Sequence, residues 1–191
     1  LSQHVLYPWL QQYPGLAGPL TARLLAIIDD PRRFPGQSCS MGHIRPPAYE
    51  VGSPCAVESH EGEKCPGVML APRTTTGTRS LWYYLGLHVV NGKAPRRQKG
   101  VQANWHTKGK TILLQPDGLA DQIIKHRTPK YRDVYDRTRA RLEGVVINGV
   151  SDTACGPPGR AHWIARKVAV KAFVADLLAE WKRVVGPDTP V

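Results

Sequence analysis

The organising segment of this chain is Tyr13-Pro14-Gly15-Leu16-Ala17-Gly18-Pro19-Leu20-Thr21-Ala22-Arg23-Leu24-Leu25-Ala26. We predict a first helix over Leu6–Tyr13 that ends at Pro14, because proline and the glycine after it favour a turn. A second helix begins at Pro19, since proline is favoured at the first helical position. Apolar residues then recur at helical spacing and predict one buried face.

Between the two helices, Gly15, Leu16 and Gly18 form a Gly-x-x-Gly hairpin. Its bare backbone N–H groups, at a helix N-terminus, would offer an anion site. A helix-hairpin-helix of this kind holds a nucleic-acid phosphate without reading sequence. The alternative is a helical hairpin that only packs. The usual hairpin is Pro-Gly-hydrophobic-Gly, and Ala17 adds one residue to it here.

Length, composition and charge narrow the class of protein. The 191 residues fit one domain with a real core, and the 18 glycines and 17 prolines predict substantial loop. No apolar run is long enough to span a membrane, and no signal peptide is visible. The net charge of +11 is segregated: residues 1–92 hold 7 Lys/Arg against 6 Asp/Glu, and residues 93–191 hold 19 against 9. Such a basic half predicts a polyanion partner, most often nucleic acid, and hence a cytoplasmic, nucleoid-associated protein that could form a homo-oligomer.

Residues 36–78 have no hydrophobic period and are rich in Gly, Pro, Ser and Thr, which predicts a long loop insertion. The insertion contains five soft ligands, and four of them would satisfy a tetrahedral zinc. The alternatives are a disulfide, which needs an oxidising compartment, and free surface thiols. We favour a structural zinc held by the three cysteines and one of the histidines among Cys39, His43, Cys55, His60 and Cys65.

The remaining chain predicts a basic helical domain over 79–191, which we expect to be compact with the hairpin unit over 1–35. Helices are predicted over Thr78–Leu85, over Thr111–Arg127 with a restart near Pro116, over Pro129–Leu142 and over Arg160–Val185. The helical period also predicts two apolar faces: Tyr131, Val134, Tyr135, Thr138 and Leu142 on the third helix, and a buried stripe of Val170, Phe173, Val174, Leu177 and Trp181 on the last. An Asn91-Gly92 pair indicates a small β hairpin. The predicted fold is therefore mainly α, a helix-hairpin-helix plus a helical bundle.

Several basic side chains are candidates for phosphate contact. Two groups flank Trp105, and interleaved cations and aromatics suit phosphate contact together with base stacking. Others lie on the outer face of the Pro129–Leu142 helix and on the outward-facing side of the last helix. The candidates are Arg79, Arg96, Arg97, Lys99, Lys108, Lys110, Arg132, Arg137, Arg139, Arg166 and Lys167.

A series of short motifs then resembles a known family. The motifs are a Pro-Gly hairpin, Asp-Pro-x-x-Phe, Leu-Trp-x-x-Leu-Gly-Leu, Lys-Gly-Lys-x-x-Leu-Leu, Tyr-x-x-x-Tyr-Asp and His-x-x-Ala-Arg-Lys. They lie in Pro14–Ala26, Asp30–Phe34, Leu81–Leu87, Lys108–Leu114, Tyr131–Asp136 and His162–Lys171. In this order they resemble the C-terminal transposase domain of the DEDD-type, bridge-RNA-guided insertion-sequence transposases, with 36–78 as an insertion.

The resemblance implies that the partner is DNA at element ends, together with a structured guide RNA. It also implies two catalytic parts, an N-terminal RuvC-like domain with acidic metal ligands and a C-terminal serine that attacks the DNA backbone. We expect this chain to lack the first, because its few carboxylates form no such cluster. The serine is expected shortly after Gly86-Leu87, yet Asn91-Gly92 stands there, and an amide cannot act as the nucleophile.

Three functions follow as alternatives. The first is a DNA-binding domain of transposase type that is catalytically incomplete alone. The second is a working serine recombinase with Ser80 as nucleophile and Arg79 steadying the phosphate, although Ser80 could simply cap its helix. The third is a basic structural protein of a ribonucleoprotein, which would bind folded RNA and not free duplex DNA.

Overall fold

The computed structural model describes residues 2–29, 37–38, 40, 44–45, 50–55, 64–69, 77–89, 94–96, 103, 105–146 and 159–186. Within these ranges the fold is mainly α, as predicted. The elements are α1 (Tyr7–Leu10), α2 (Pro19–Ile28), β1 (Gln37–Ser38), β2 (Ile44–Arg45), α3 (Thr78–Tyr84), α4 (Thr107–Leu114), α5 (Leu119–Lys125), α6 (Tyr131–Leu142) and α7 (Arg160–Val185).

Helix α7 is the centre of the core. It has 26 residues and the predicted bounds, and at 1.5 Å per residue it spans about 39 Å. The predicted stripe is buried, with Val170, Phe173, Val174 and Leu177 at 0% exposure and Trp181 at 9%. Helices α3, α4, α5 and α6 all pack against it. A single hydrophobic cluster includes residues of both 1–35 and 79–191, so these two predicted units share one core.

Helix α6 lies along α7 through aromatic contacts. Tyr131 and Tyr135 are buried, and Thr138 is 7% exposed, as the predicted apolar face requires. The Tyr131 ring meets Phe173 edge-on at 5.6 Å between centroids, while Trp9 stacks on Phe173 at 6.2 Å. Aromatic pairs in these geometries stabilise beyond their buried area by about 1 kcal/mol each. They fix α7 against both α6 and the N-terminal segment.

The N-terminal segment is less helical than predicted. The prediction of a helix over Leu6–Tyr13 is wrong, because α1 covers only Tyr7–Leu10. The following N–H groups of Gln12 and Tyr13 bond carbonyls three residues back, at 3.2 and 3.1 Å, so the chain continues in tight turns and not as a helix. Helix α2 does begin at Pro19 as predicted. With one short turn before it, the helix-hairpin-helix remains a prediction.

The break between α4 and α5 falls where the proline indicated it. Helix α4 begins earlier than predicted, at Thr107, and ends at Leu114. Asp117 has a positive φ of 60°, and its N–H donates to Asp121 Oδ2 at 2.9 Å. This bond caps the turn and directs α5 back across α7.

The insertion contains short strands that the loop prediction did not include. Strands β1 and β2 pair antiparallel, and a bridge joins Pro54 to Val68. The hairpin predicted at Asn91-Gly92 lies outside the described residues.

Candidate nucleic-acid interface

Lysines and aromatic rings meet where α3, α4 and α7 pack together. Helix α7 presents two lysines four residues apart, a spacing that places both side chains on one side of the helix. Two rings come from α3 and a third from the segment that follows it. Another ring lies two residues before the start of α4, and α4 itself supplies a lysine. We call this group the lysine–aromatic cluster; its members are Trp82, Tyr83, His88, Trp105, Lys110, Lys167 and Lys171.

His88 lies in the middle of the cluster. Its ring stacks on Tyr83 at 4.2 Å between centroids and meets the edge of Trp105 at 6.1 Å. The carbonyl oxygen of His88 accepts a hydrogen bond from Lys167 Nζ at 3.1 Å. Its ring nitrogen Nδ1 is buried and has no hydrogen-bond partner.

The amines of Lys110 and Lys171 also have fixed neighbours, a backbone carbonyl or an aromatic ring. Lys110 Nζ donates to the carbonyl of Pro95 at 2.6 Å and lies 5.1 Å from the Trp105 centroid. Lys171 Nζ lies 4.5 Å from the centroid of Trp82. Each ammonium has three donors, so each keeps N–H groups for a further acceptor. The amines are thus positioned before any partner arrives.

Burial lowers the pKa of each of the three amines in the cluster, and for Lys110 and Lys167 neighbouring cations add to the effect. Burial first, then the neighbouring Lys171 and Lys110, lowers the pKa of Lys167 to about 8. Burial also lowers the pKa of Lys110, with Arg96 as a second cause, and that of Lys171. At pH 7 the amine of Lys167 remains mostly protonated, since its pKa still lies above neutrality.

For His88, burial followed by the three lysines lowers the pKa to about 4. Its imidazole is therefore neutral at pH 7 and can accept a hydrogen bond. In the part of the chain that the structure describes, no carboxylate pairs with the three amines. Uncompensated, partly desolvated cations attract anions strongly. Together with the rings, the arrangement suits a phosphate that carries an aromatic group.

The arginines of α6 form a second basic surface. Arg132 Nε pairs with Asp136 at 2.8 Å, which offsets its charge. Arg139 donates to the hydroxyl of Tyr135 at 3.2 Å, and that hydroxyl lies 2.7 Å from His162 Nδ1. Arg137 is exposed. A shallow groove of about 330 Å³ runs between α6 and α7, lined by Val134, Arg137, Thr138, Arg141 and Val168.

Arg166 does not face outward, so that prediction is wrong. The residue is 2% exposed. Its guanidinium donates to the carbonyls of Leu114 and Gln115 at 3.2 and 3.3 Å and pairs with Asp121 at 2.9 Å. It therefore satisfies the C-terminal carbonyls of α4 and joins α4 and α5 to α7. The helical period did not reveal this, because the groups that Arg166 binds are distant in sequence.

The predicted hairpin residues differ in position. Leu16 is 0% exposed and belongs to the core, so the prediction that it contacts a partner is wrong. Gly15 has the positive φ of 82° that the turn needs, and its backbone packs against the ring of His126. Gly18 is the N-cap of α2 and has open space beside it.

The other predicted contacts are spread over the surface. Arg79, Arg96 and Lys108 are exposed. Ser80 is 7% exposed and lies in the first turn of α3, whose N-cap is Gly77, so the suggestion that Ser80 caps the helix is wrong. A hydroxyl so buried is poorly placed to meet a phosphodiester. Arg97 and Lys99 lie outside the described residues.

Two of the five predicted zinc ligands can be placed. Cys55 is buried, Cys65 is half-buried, and both pack in one small cluster with Met69. The N–H of Gly67 donates to Cys65 Sγ at 3.3 Å. Cys39, His43 and His60 lie outside the described residues. Among the residues that can be placed, no three potential ligands come together, and zinc binding remains a prediction.

Comparisons of the chain with protein-family models, with curated proteins and with solved structures find no match. Across the placed helices, none is both long and apolar enough to cross a bilayer.

The sequence did not identify all members of the cluster. It singled out Trp105, Lys110 and Lys167 as candidate contacts but did not include His88, Trp82 or Lys171 among them. The i, i+4 spacing of Lys167 and Lys171 was a usable signal. His88 carried no local signal, because its neighbours come from α4 and α7.

Proposed function

We propose that this chain is a nucleic-acid-binding domain of transposase type whose main phosphate contacts are in the lysine–aromatic cluster. One observation carries the proposal: three partly buried amines, those of Lys110, Lys167 and Lys171, surround His88 with no carboxylate beside them among the described residues. Such an arrangement is electrostatically unfavourable in the unbound protein, and a polyanion would relieve it.

The charge distribution supports the same function. The excess of basic residues lies in the second half of the chain, where the cluster also lies. Exposed Arg79, Arg96 and Lys108, with Arg137 on α6, would extend the contact to neighbouring phosphates. Contacts of this kind hold a polymer without reading its sequence. DNA is the partner that the family resemblance favours, with a structured guide RNA as a second polymer.

We propose binding without strand cleavage by this chain alone. The burial of Ser80 supports this part of the proposal, because a serine nucleophile must reach the phosphorus in line. A Ser80→Ala protein compared with wild type in a nicking assay tests it. Nicking by wild type that the substitution abolishes would favour the recombinase alternative.

The binding test uses fluorescence anisotropy with labelled duplex DNA and with a folded RNA hairpin of equal phosphate number. Lys167→Gln should weaken binding about 5- to 10-fold, the loss of about 1 kcal/mol that is typical of one hydrogen-bonded contact. Arg183→Gln is the matched control, since it removes one charge about 24 Å away on the same helix. Equal losses in both variants would reduce the proposal to non-specific attraction. Binding of RNA alone would favour the ribonucleoprotein alternative.

The proposal includes two associations predicted from the sequence, location on the nucleoid and homo-oligomer formation. Light scattering with and without oligonucleotide tests the second.

A further inference from the structure

Trp163, in the first turn of α7, is unusual in its exposure. It is 49% exposed, whereas the other exposed large hydrophobic residues in the described ranges are valines. An indole on the surface exposes a large apolar area to water, which is unfavourable, and tryptophan is common at sites that bind a partner. The residue lies next to the lysine–aromatic cluster in the sequence of α7, four positions before Lys167.

The ring of Trp163 is fixed from below. The guanidinium of Arg166 lies over one face, 4.8 Å from the ring centroid, and Arg166 is itself locked by carbonyls of α4 and by Asp121. The His162 ring meets the indole edge-on at 5.2 Å. His162 is in turn held by the Tyr135 hydroxyl. Because the ring is already ordered, stacking a second ring on it would cost little side-chain entropy.

Charge around the ring favours an anion. Arg166 lies beneath it and is paired with Asp121, so the charge available to an anion comes from the next turn of α7. Lys167 lies one turn further along, about 6 Å by helical rise. Long helical side chains lean toward the helix N-terminus, so the Lys167 side chain leans back toward Trp163. Its amine uses one donor on the carbonyl of His88 and keeps the others.

We infer that Trp163 and Lys167 hold one unpaired nucleotide, the base stacked on the indole and its phosphate on the amine. A base within a duplex has both faces covered by its neighbours, so only a single strand or a splayed-out base can stack on a protein ring. The inference rests on the proposed function and deepens it, since it specifies that the polymer is single-stranded where it crosses the start of α7. Unpaired DNA and unpaired RNA share this chemistry.

The experiment compares one labelled 20-nucleotide strand with its duplex at the same salt, each as DNA and as RNA, by fluorescence anisotropy. We expect Trp163→Ala to weaken binding of the single strand about 5- to 150-fold, the range measured for loss of one stacking ring, and to leave duplex binding unchanged. Trp163→Phe should retain most of the affinity. Val184→Ala, an exposed truncation at the far end of α7, is the matched control and should have no effect.

A second measurement guards against misfolding. The single strand should quench the intrinsic tryptophan fluorescence of the wild type more than that of Trp163→Phe, which should still bind. If Trp163→Ala binds the single strand as wild type does, or loses equally on the duplex, the inference fails and the proposed function stands on its lysines. If wild type binds none of the four polymers, both fail together. The stronger of the DNA and RNA responses identifies the strand.

Discussion

Arg166 provides a sharp test of how the structure assigns its basic residues. We expect Arg166→Met to destabilise the fold and not merely to weaken binding. The substitution keeps an unbranched apolar stem and removes the guanidinium, which satisfies the carbonyls of Leu114 and Gln115 and pairs with Asp121. An outward-facing arginine, as the sequence suggested, could be changed without loss of stability.

The loss in the free energy of unfolding is estimated from the groups that lose Arg166 as a partner. The carbonyls of half-buried Leu114 and exposed Gln115 lose their charged donor, at about 1–2 kcal/mol each, and that of Gln115 keeps the N–H of Gly118. Asp121 loses its partner too, but its carboxylate side chain is 32% exposed and water replaces most of that interaction. The Nε of Arg166 has no partner in the native state, so its removal returns a small part of the cost. We expect a net loss of about 3 kcal/mol in the free energy of unfolding, or roughly 6–12 °C in Tm for a chain of this size.

Thermal and urea unfolding followed by circular dichroism measure the effect. Arg183→Met is the matched control, because Arg183 pairs with Glu180 on the exposed surface of the same helix. Exposed pairs contribute little, so the control should unfold close to wild type. Asp121→Asn, introduced into the wild type and into Arg166→Met, completes a double-mutant cycle for the Arg166–Asp121 pair. An Arg166→Met protein as stable as wild type would refute the buried role of this residue.

Four further expectations concern pH, packing and metal. The pKa of Lys167 is about 8 in the fold and near 10.5 in the unfolded chain. Because the unfolded chain binds this proton more tightly, the free energy of unfolding should rise from about pH 8 to pH 10.5, and urea titrations of Lys167→Met should lack that rise. The pKa of His88 is about 4, so stability should fall as pH drops from about 6.5 to 4, and His88→Gln should remove that step in the same titration. Gly86 and Gly144 both have positive φ, but they differ in their surroundings. A Cβ on Gly86 would come 2.5 Å from a ring carbon of the lysine–aromatic cluster, while Gly144 has open space beside it. Gly86→Ala should therefore weaken oligonucleotide binding, and Gly144→Ala should only lower stability. Native mass spectrometry should show one zinc that a chelator removes and that Cys55→Ser prevents, and a bare mass in every condition would contradict the zinc prediction.

Local patterns predicted the helices well and the site only in part. The bounds of α7 and its buried stripe follow from the 3.6-residue period, and the break before α5 follows from Pro116. The first helix was overestimated, because a favourable run of residues does not reveal that the chain tightens into turns after Leu10. Position on a helix also failed for Arg166, which looked exposed by period.

The partners of the candidate site explain why the sequence revealed so little of it. His88 meets Trp105 from the segment before α4 and Lys167 from α7, residues brought near only by the tertiary fold. Burial and the neighbouring lysines then lower the pKa of His88, and amino-acid composition alone cannot predict this shift. By contrast, the overall excess of positive charge in the second half was visible from the start.

The most direct test of nucleic-acid binding through the lysine–aromatic cluster is the salt dependence of affinity, measured by anisotropy on wild type and on the Lys110→Gln/Lys167→Gln/Lys171→Gln triple variant. Each phosphate neutralised contributes about −0.7 to −0.9 to the slope of log K against log salt concentration. We expect a steep linear fall for wild type and a slope about 2 to 3 smaller in magnitude for the triple variant, since each lysine contributes about one. Equal slopes for the two proteins, or an affinity that does not change with salt, would contradict the assignment of the cluster as the phosphate-binding surface.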